Sequence, residues 1–326
     1  MVSLRRAAAT VVAGRAGDVR TPATALARAY FALQAAGGAA WWVSVFTVPL
    51  VRQATLGGLD PVPVAALDVP LFVVASSAAA VIPSRGSRWA ASIATTWTLV
   101  VTVLLFVYAT VTTHAGGGVV LMIAASTGSV GAWFLLVLGR IPTTWILIGP
   151  FAFRPARTRR TPWAHIAATA AQIVVFWGVC LVVLPLVISA LEQRWRLAVP
   201  TLEGTVAAGV VVVVAASALG LWSAASLTTR GDGTPLPSAM PNRLVVVGPY
   251  RIIRNPMAVA GIAQGVGVGL MLSSWMVVAY ALAGSLVWNY AIRPHEEASL
   301  AATFGDEYAR YRHAVRCWVP RLRAPR

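Results

Sequence analysis

Lysine is absent from the sequence, so all 26 basic residues are arginines, and only 10 residues are acidic. Charged residues make up 11% of the 326 positions and hydrophobic residues 58%, and the mean hydropathy is +0.74. This composition excludes an ordinary soluble globular domain, in which about a quarter of the residues are charged. The absence of lysine together with abundant alanine, valine and glycine is typical of GC-rich codon usage and favours a bacterial source.

Cysteine and histidine are also scarce, and neither forms a recognisable site. Cys180 lies inside an apolar run and Cys317 in the C-terminal tail, so no disulfide framework and no paired-cysteine metal or redox motif can be built. The four histidines are widely separated, and no zinc-protease or serine-hydrolase pattern occurs. We therefore expect no metal and no catalytic triad.

The formal net charge of +16 has two explanations. A strongly basic chain can bind nucleic acid, but then its charges cluster on one domain. Here the arginines are scattered between apolar segments, which favours membrane topology as their role. We expect membrane lipids as partners and no nucleic acid.

Apolar stretches long enough to cross about 30 Å of hydrocarbon recur along the chain. Asp68 and Pro70 interrupt the second of them, and residues 141–153 offer a further partial or interfacial segment. The sequence therefore predicts an all-α polytopic transmembrane bundle of about eight spans. The stretches lie near residues 26–50, 62–82, 89–111, 118–139, 163–190, 204–228, 256–272 and 275–292.

The placement of arginine predicts the orientation of this bundle, because short cytoplasmic loops carry the excess of basic residues. With eight spans, every arginine except Arg52, Arg194 and Arg196 falls on the side of the two termini. We therefore expect a bacterial inner-membrane protein with both termini in the cytoplasm. The stretch before Arg20 has only a weak apolar run, so we expect the first span, rather than a cleaved signal peptide, to direct membrane insertion.

In this topology the Gly- and Pro-rich loop of residues 229–249 shares the cytoplasmic face with the C-terminal tail. We therefore divide the chain into two regions. Residues 1–228 form an N-terminal transmembrane region of about six helices. Residues 229–326 form a C-terminal core made of the loop, a helical hairpin and an amphipathic tail helix.

Residues 248–257, GPYRIIRNPM, end the loop and open the seventh span. Asn255 suits the N-cap of a helix and Pro256 its first position. The free N–H groups and positive dipole end of that helix, flanked by Arg251 and Arg254, predict an anion site at the membrane surface. The alternative is that these arginines only set the topology and extend to the interface.

Gly261, Gly265 and Gly269 follow at four-residue spacing, which places them on one face of the seventh span. This spacing is typical of close packing between helix backbones. The alternative is that Gly261, one turn above the anion site, leaves room for a ligand. No strand precedes these glycines, so they are not a dinucleotide-binding fingerprint.

The last span returns to the cytoplasmic face and ends in residues 289–297, NYAIRPHEE. The hairpin therefore brings Glu296 and Glu297 to the surface that carries Arg251 and Arg254. An anionic spot beside a cationic one would suit a zwitterionic amino-acid group. The alternative is that the acids occupy the first turn of a new helix, where the dipole favours them.

An amphipathic stripe follows the paired acids. It consists of Leu300, Phe304, Tyr308, Tyr311 and Val315, which recur at helical spacing. We expect this tail helix to lie against the membrane or to cap the site.

Taken together, GPYRxxRNPM, a hydrophobic hairpin and EExxLxxxFGxEYxxYxxxVxxxVPR resemble the C-terminal core of the isoprenylcysteine carboxyl methyltransferase family, in its bacterial branch. The resemblance covers residues 236–321. It implies a membrane methyltransferase that binds S-adenosylmethionine without a Rossmann domain, in a pocket formed by the last helices and the tail. The implied substrate is a lipophilic molecule from the bilayer, either an isoprenoid carboxylate or a lipid head group.

The resemblance also implies roles for single residues. In the family an RHPxYxG motif and paired glutamates line the cofactor pocket, and Arg254 and Glu297 are the residues to which we assign catalysis. Asn255 stands where many members have His, and Ala258 stands where the motif has Tyr, which removes an aromatic wall and a hydroxyl group. The cofactor-binding set that we assign is Tyr250, Arg251, Asn255, Pro256, Gly261, His295, Glu296 and Glu297. His295 could also assist proton transfer if the acceptor is an amine or a hydroxyl group.

Three other functions stay open at this point. The NADPH-dependent sterol reductases share a related hairpin, although the paired glutamates favour a methyl donor. A non-catalytic transporter would suit about eight spans, but Asp68 is almost the only charged residue within them. A relative that only binds lipid is the third alternative, because of Ala258.

Overall fold

The computed structural model describes residues 21–146, 170–171, 174–175, 177–200, 202–231 and 242–320. Every regular element in these residues is a helix and none is a strand, which confirms the predicted all-α class. The chain forms two compact units, Met1–Pro142 with Arg194–Arg196, and Thr143–Gln193 with Leu197–Arg326. The boundary that we predicted between residues 228 and 229 is therefore not where the compact units divide.

The first unit is a bundle of apolar helices. Its elements are α1 (Pro22–Thr47), α2 (Pro49–Thr55), α3 (Pro61–Asp68), a π-helical turn (Val69–Val74), α4 (Ala75–Val81), α5 (Ser84–Thr112) and α6 (Gly116–Leu138). α1 and α2 meet at an angle of 114°. Val48, between them, is extended (φ −120°, ψ 100°), the conformation imposed on a residue that precedes a proline.

The predicted interruption at Asp68 and Pro70 does not break the second span. Pro70 has no N–H to donate, and the helix passes it through the wider π turn. Asp60 caps the start of α3 by accepting a hydrogen bond from the Val62 amide at 3.0 Å. The result is one apolar segment, Pro61–Val81.

Buried polar side chains tie the helices of this unit together. Asp68 is 7% exposed, and its two carboxylate oxygens accept hydrogen bonds from the indoles of Trp42 at 2.8 Å and Trp97 at 2.7 Å. This carboxylate thus links α1, α3 and α5. Gln34 makes a similar junction, since its amide donates to Ser76 at 3.0 Å and accepts from Ser129 at 2.7 Å.

The second unit holds the C-terminal helices. Its elements are a π-helical segment (Gly178–Val183), α7 (Leu184–Arg194), α8 (Thr205–Gly231), a 3₁₀ turn (Gly248–Arg251), α9 (Pro256–Met271), α10 (Trp275–Val287), a π turn (Trp288–Ile292) and α11 (Arg293–Ala314).

α8 packs closely along α9, which explains why it belongs to this unit. A Cβ atom on Gly209 would lie 2.7 Å from the carbonyl oxygen of Gly267, so the two backbones touch. Gln264 of α9 donates to Ser217 of α8 at 2.9 Å. The predicted division between residues 228 and 229 falls between α8 and α9 in the chain, although these two helices pack against each other.

The break between α9 and α10 lies where the sequence predicted it. Ser274 caps α10 by accepting a hydrogen bond from the Val277 amide at 3.2 Å. Glu192 of α7 is 1% exposed, and its carboxylate accepts hydrogen bonds from the Ser274 hydroxyl and, at 3.1 Å, from the Met276 amide. A carboxylate at a helix N-terminus is favoured by the dipole, so this contact fixes the tip of the hairpin.

Several helices are long and apolar enough to cross a membrane, or contain such a stretch. The apolar part of the last one ends at Ile292, and the charged residues begin at Arg293. α9 is apolar but shorter, and the stretch near 163–190 falls partly outside the described residues, as does most of 141–153. The count of eight and the cytoplasmic termini therefore stay predictions. The long segments are Pro61–Val81, Arg85–Thr112, Gly116–Leu138, Thr205–Gly231 and Trp275–Ala314, with a sixth if α1 and α2 form one bent span.

Candidate active site

The end of the loop that precedes α9 contains a turn that is held against α8. Gly248 has a positive φ of 59°, and a Cβ atom there would lie 2.6 Å from the Ser226 hydroxyl of α8, so only glycine fits. The turn buries Pro249 and Tyr250. Burial, with a contribution from the charge of Glu296, raises the pKa of Tyr250, so its hydroxyl group stays protonated at neutral pH.

α9 begins where the sequence predicted, with Asn255 at the N-cap and Pro256 at the first helical position. The side chain of Asn255, however, does not cap the helix. Its amide donates instead to the Cys317 sulfur at 3.3 Å. The predicted helix start is confirmed, and the contact of Asn255 with Cys317 is one that the sequence did not predict.

The tail helix α11 is kinked at Gly305, whose backbone (φ 50°, ψ −124°) is not helical. Beyond the kink the chain packs on the start of α9. The hydroxyl group of Tyr311 donates to the Tyr250 carbonyl at 2.7 Å, and the Arg254 amide donates to the Arg316 carbonyl at 3.0 Å. The tail therefore covers the predicted site, as one of the two sequence expectations had it.

We call residues 315–318 the tail strap. Its Trp318 indole donates to the side-chain oxygen of Asn289 at 3.0 Å and packs edge-on against Trp288, with the ring centroids 5.3 Å apart. Together with the bonds to Arg254 and Asn255, these contacts fasten the strap to both arms of the α9–α10 hairpin. The sequence did not reveal this role of Trp318.

The two predicted catalytic residues meet beneath this strap. Nη1 of Arg254 lies 3.2 Å from Oε1 of Glu297, and the side chains are only 12% and 19% exposed. Arg293, one helical turn before Glu297, approaches the same oxygen at 4.0 Å. Arg293 was missed by the sequence reasoning, although its position four residues before Glu297 is a typical ion-pair spacing.

This charge centre retains capacity to bind a ligand. Nε and Nη1 of Arg254, Nε of Arg293 and Oε1 of Glu297 are buried and make no hydrogen bond. The 3.2 Å contact is thus an ion pair without hydrogen-bond alignment. Buried polar atoms without hydrogen bonds destabilise the folded protein. A ligand that carries both signs of charge could supply the missing partners, so the site favours such a ligand.

Glu296, beyond the end of the apolar span, adds a second carboxyl group. Burial and, to a lesser extent, the charge of Glu297 raise the pKa of Glu296 to about 7. At neutral pH the two neighbouring glutamates therefore carry between one and two negative charges. A cationic ligand would favour the doubly ionised pair.

Two other members of the predicted set differ from Arg254 and Glu297 in their contacts or exposure. The Nε2 atom of His295 is 2.9 Å from the Thr143 hydroxyl group, in a hydrogen bond that directs the ring toward the short 3₁₀ turn Thr143–Ile146. Arg251 is exposed, in contrast to Arg254. The cofactor roles of these two residues stay predictions.

An apolar cavity of about 280 Å³ lies beside the start of α9. Its walls come from α9, α10, the π turn that follows α10 and the π-helical segment Gly178–Val183, and they include Ala258, Gly261, Tyr280, Gly284 and Trp288. A Cβ atom on Gly261 would meet nothing within 4 Å, whereas one on Gly265 would lie 2.8 Å from the Ala281 Cβ. Gly265 therefore packs against α10, as the spacing predicted, whereas Gly261 leaves open space, and its role in binding a ligand stays a prediction.

This second unit has the features of a membrane enzyme core: an apolar helical hairpin, a charge centre at its open end and a tail that closes over it. Residues 205–307 match the sequence model of the phospholipid methyltransferase family, from the first residue of α8 into α11. This is the same membrane methyltransferase family as the isoprenylcysteine carboxyl methyltransferases, so the predicted resemblance is confirmed over residues 205–307, while its bacterial branch stays a prediction.

The matched range contains Arg254 and Glu297 and lies wholly within the second unit. The first unit is outside it. A search of curated proteins and a search of solved structures gave no match to the chain.

Proposed function

We propose that the protein transfers a methyl group from S-adenosylmethionine to a lipophilic acceptor that enters from the bilayer. The observation that carries this proposal is the contact between Arg254 and Glu297, 3.2 Å apart within the matched region, with buried polar atoms that make no hydrogen bond.

The residues present fit the proposed methyl donor. S-adenosylmethionine has an α-carboxylate, which Arg254 and Arg293 can bind through their unused N–H groups. It also has an α-ammonium group, which Glu297 and ionised Glu296 can bind. When bound, the donor supplies a methyl group whose bond to a positively charged sulfur breaks, leaving the electron pair on sulfur, as the acceptor atom bonds to carbon.

The chain's own contribution is positioning and exclusion of water. Arg254 and Glu297 are fixed from the two arms of one hairpin, so a ligand bound to both has one orientation. The tail strap and Tyr311 pack next to the centre, whose side chains are mostly buried, and this limits the access of water. A carboxylate acceptor requires no general base. For an amine or hydroxyl acceptor, the candidate general base is His295, which is close to Glu297 in the sequence.

A lipophilic acceptor is supported by the cavity beside the charge centre. Among the residues that the structure describes, those that line it carry no charge, and Ala258 and Gly261 place it within the first turns of α9. An acceptor with an apolar chain and a polar head could therefore hold its head at the centre and its chain among the helices. Isoprenoid carboxylates and lipid head groups both have this form.

Binding of radiolabelled S-adenosylmethionine to the purified protein tests the site. We expect Glu297→Ala to weaken binding at least tenfold, because it removes the partner of the donor's ammonium group. Glu307→Ala is the matched control, since Glu307 is an exposed glutamate on the same helix. Equal affinity of the two variants would overturn the assignment.

The same titration with NADPH separates this proposal from a reductase. We expect S-adenosylmethionine, and not NADPH, to raise the unfolding temperature of the protein. Protection by NADPH alone would support the reductase instead.

A further inference from the structure

We propose that Arg293 binds the α-carboxylate of the methyl donor and that Cys317 is a positioning residue, which holds the Arg293 guanidinium group in place for this contact. The inference rests on the proposed function for the identity of the donor. It assigns a role to a cysteine for which the sequence predicted none.

Cys317 is a buried residue of the tail strap. It is 8% exposed, and its sulfur accepts a hydrogen bond from the Asn255 amide at 3.3 Å. The residues on either side of it are fixed as well, because Arg316 and Trp318 both bond to the arms of the hairpin. The position of the sulfur is therefore set by the fold before any ligand binds.

Arg293 is the second partner of this sulfur. A hydrogen bond between the side chains of Arg293 and Cys317 is the largest cause of a raised pKa of Arg293, and the charge of Glu297 contributes less. A raised pKa of a guanidinium group means that its surroundings favour the charged form. Cys317 therefore joins Asn255, at the N-cap of α9, to Arg293, the first residue of α11.

Arg293 benefits from this contact because its ion pair with Glu297 does not fix it. The two side chains approach only to 4.0 Å, and Nε of Arg293 is buried without a hydrogen bond. An arginine side chain has several rotatable bonds, so ordering it on binding costs conformational entropy. A contact that holds the guanidinium group beforehand removes part of that cost from the binding of a ligand.

The two arginines of the charge centre differ in how fully their charge is already offset. Arg254 lies 3.2 Å from Oε1 of Glu297, and its side chain also hydrogen-bonds that of Tyr308. Arg293 lies farther from the same oxygen, at 4.0 Å, and retains an unused Nε. A guanidinium group can donate two parallel hydrogen bonds to one carboxylate. The existing contacts therefore leave Arg293 better able than Arg254 to bind the carboxylate of the donor.

Binding of two donors that differ in one group tests this inference. S-adenosylmethionine and its decarboxylated analogue share the adenosyl, sulfonium and ammonium groups, so only the first offers a carboxylate to Arg293. We expect Cys317→Ala to weaken binding of S-adenosylmethionine about fivefold, as for the loss of one ordinary hydrogen bond, and to change the affinity for the analogue less than about twofold.

Isothermal titration of the purified full-length protein measures both affinities. A Cys317→Ala variant that loses affinity for the two ligands equally would overturn the inference, because a strap that is merely loosened would affect both alike. If Cys317→Ala does not fold, Cys317→Val fills the space without supplying an acceptor and allows the same comparison.

Two further cysteine variants are the matched controls. Cys317→Ser keeps a small acceptor atom at the same place, so we expect it to recover most of the affinity that the alanine variant loses. Cys180 is the other cysteine of the chain and lies in the π-helical segment Gly178–Val183, so Cys180→Ala should leave donor affinity unchanged. A serine variant that binds as weakly as the alanine variant would contradict the role of the sulfur as an acceptor.

Arg293→Gln tests whether Cys317 acts through Arg293. We expect this variant to weaken S-adenosylmethionine binding about tenfold or more, since it removes a charge-assisted contact. Adding Cys317→Ala to it should then lower the affinity by less than about twofold. Losses that multiply in the double variant would show that Cys317 acts independently of Arg293 and would overturn its positioning role.

The outcomes separate this inference from the proposed function. Wild-type protein that binds S-adenosylmethionine, together with a Cys317→Ala variant that binds it equally well, would overturn the positioning role alone. Wild-type protein that binds neither donor would overturn the proposed function and this inference together.

Discussion

Arg254 and Glu297 lie 3.2 Å apart although one opens the α9–α10 hairpin and the other follows its last turn. The hairpin makes this contact because both of its ends return to one side, and the tail strap then closes over it. The backbone of Arg254 is held by a second segment, since its amide donates to the Arg316 carbonyl of the strap at 3.0 Å. The centre therefore depends on tertiary structure more than on any local motif.

The ion pair should act as a unit in donor binding. We expect Glu297→Gln and Arg254→Gln each to weaken S-adenosylmethionine binding at least tenfold, and the double variant to lose less than the sum of the two changes in binding free energy. A double-mutant cycle on donor affinity measures this coupling. Strict additivity would show that the two side chains do not cooperate.

Donor affinity should rise with pH around neutrality. Burial raises the pKa of Glu296 to about 7, and the donor's ammonium group favours its ionised form, so affinity should increase from pH 6 to pH 8 and then level off. Isothermal titration across this range measures the effect. Glu296→Gln should flatten the profile while Glu307→Gln should not, and a rise that survives Glu296→Gln would exclude Glu296 as its source.

The same group should affect stability in the opposite direction. The folded protein holds the Glu296 proton more tightly than the unfolded chain does, so stability without donor should fall as pH rises from about 4.5 to about 7. Denaturant titration at several pH values measures this trend. Loss of the trend in Glu296→Gln is the expected control result.

The tail strap should open when Tyr311 loses its hydroxyl group. Tyr311→Phe leaves the Tyr250 carbonyl without its 2.7 Å hydrogen bond, at a cost of about 1–3 kcal/mol. We expect faster hydrogen exchange in residues 306–318 and weaker donor binding. Tyr290→Phe, at a tyrosine that is 71% exposed, is the control. If both variants exchange alike, the Tyr311 bond does not hold the strap.

The first unit should depend on Asp68 for stability. Asp68→Ala leaves two indole N–H groups unsatisfied, each worth about 1–3 kcal/mol when buried. We expect a lower unfolding temperature, and an intermediate loss for Asp68→Asn, which keeps one acceptor oxygen. Asp60→Asn is the control. It replaces one favourable N-cap residue with another, so the unfolding temperature should change little. A neutral Asp68→Ala would show that the indoles find other partners.

Much of the fold could be predicted from hydropathy, because the length of an apolar stretch and the residues that begin or end a helix are set by neighbouring positions in the sequence. The start of α9 at Asn255 and Pro256 and the break before Ser274 depend on neighbouring residues, and both are confirmed. The continuation of the second span past Pro70 was harder to predict, since a π turn has no clear sequence signature. The assignment of α8 to the C-terminal unit depends on its contact with α9, which no single segment reveals.

The part of the candidate site that the helical hairpin brings together could be predicted from the sequence. Once the hairpin is known, Arg254 and Glu297 must share one face. The contact of Asn255 with Cys317 and that of Trp318 with Asn289 were not predictable, because they depend on the kink at Gly305. The cavity likewise depends on which glycines are packed, and Gly261 and Gly265 look alike in sequence.

Methyl transfer itself is the most direct test of this account. Purified protein in nanodiscs should be incubated with methyl-labelled S-adenosylmethionine and a total lipid extract from the source organism. We predict that label enters the organic phase with the wild-type protein, and at least a hundredfold more slowly with Glu297→Gln. Wild-type protein that binds the donor but yields no organic-soluble label, or label that Glu297→Gln produces equally well, would contradict the account.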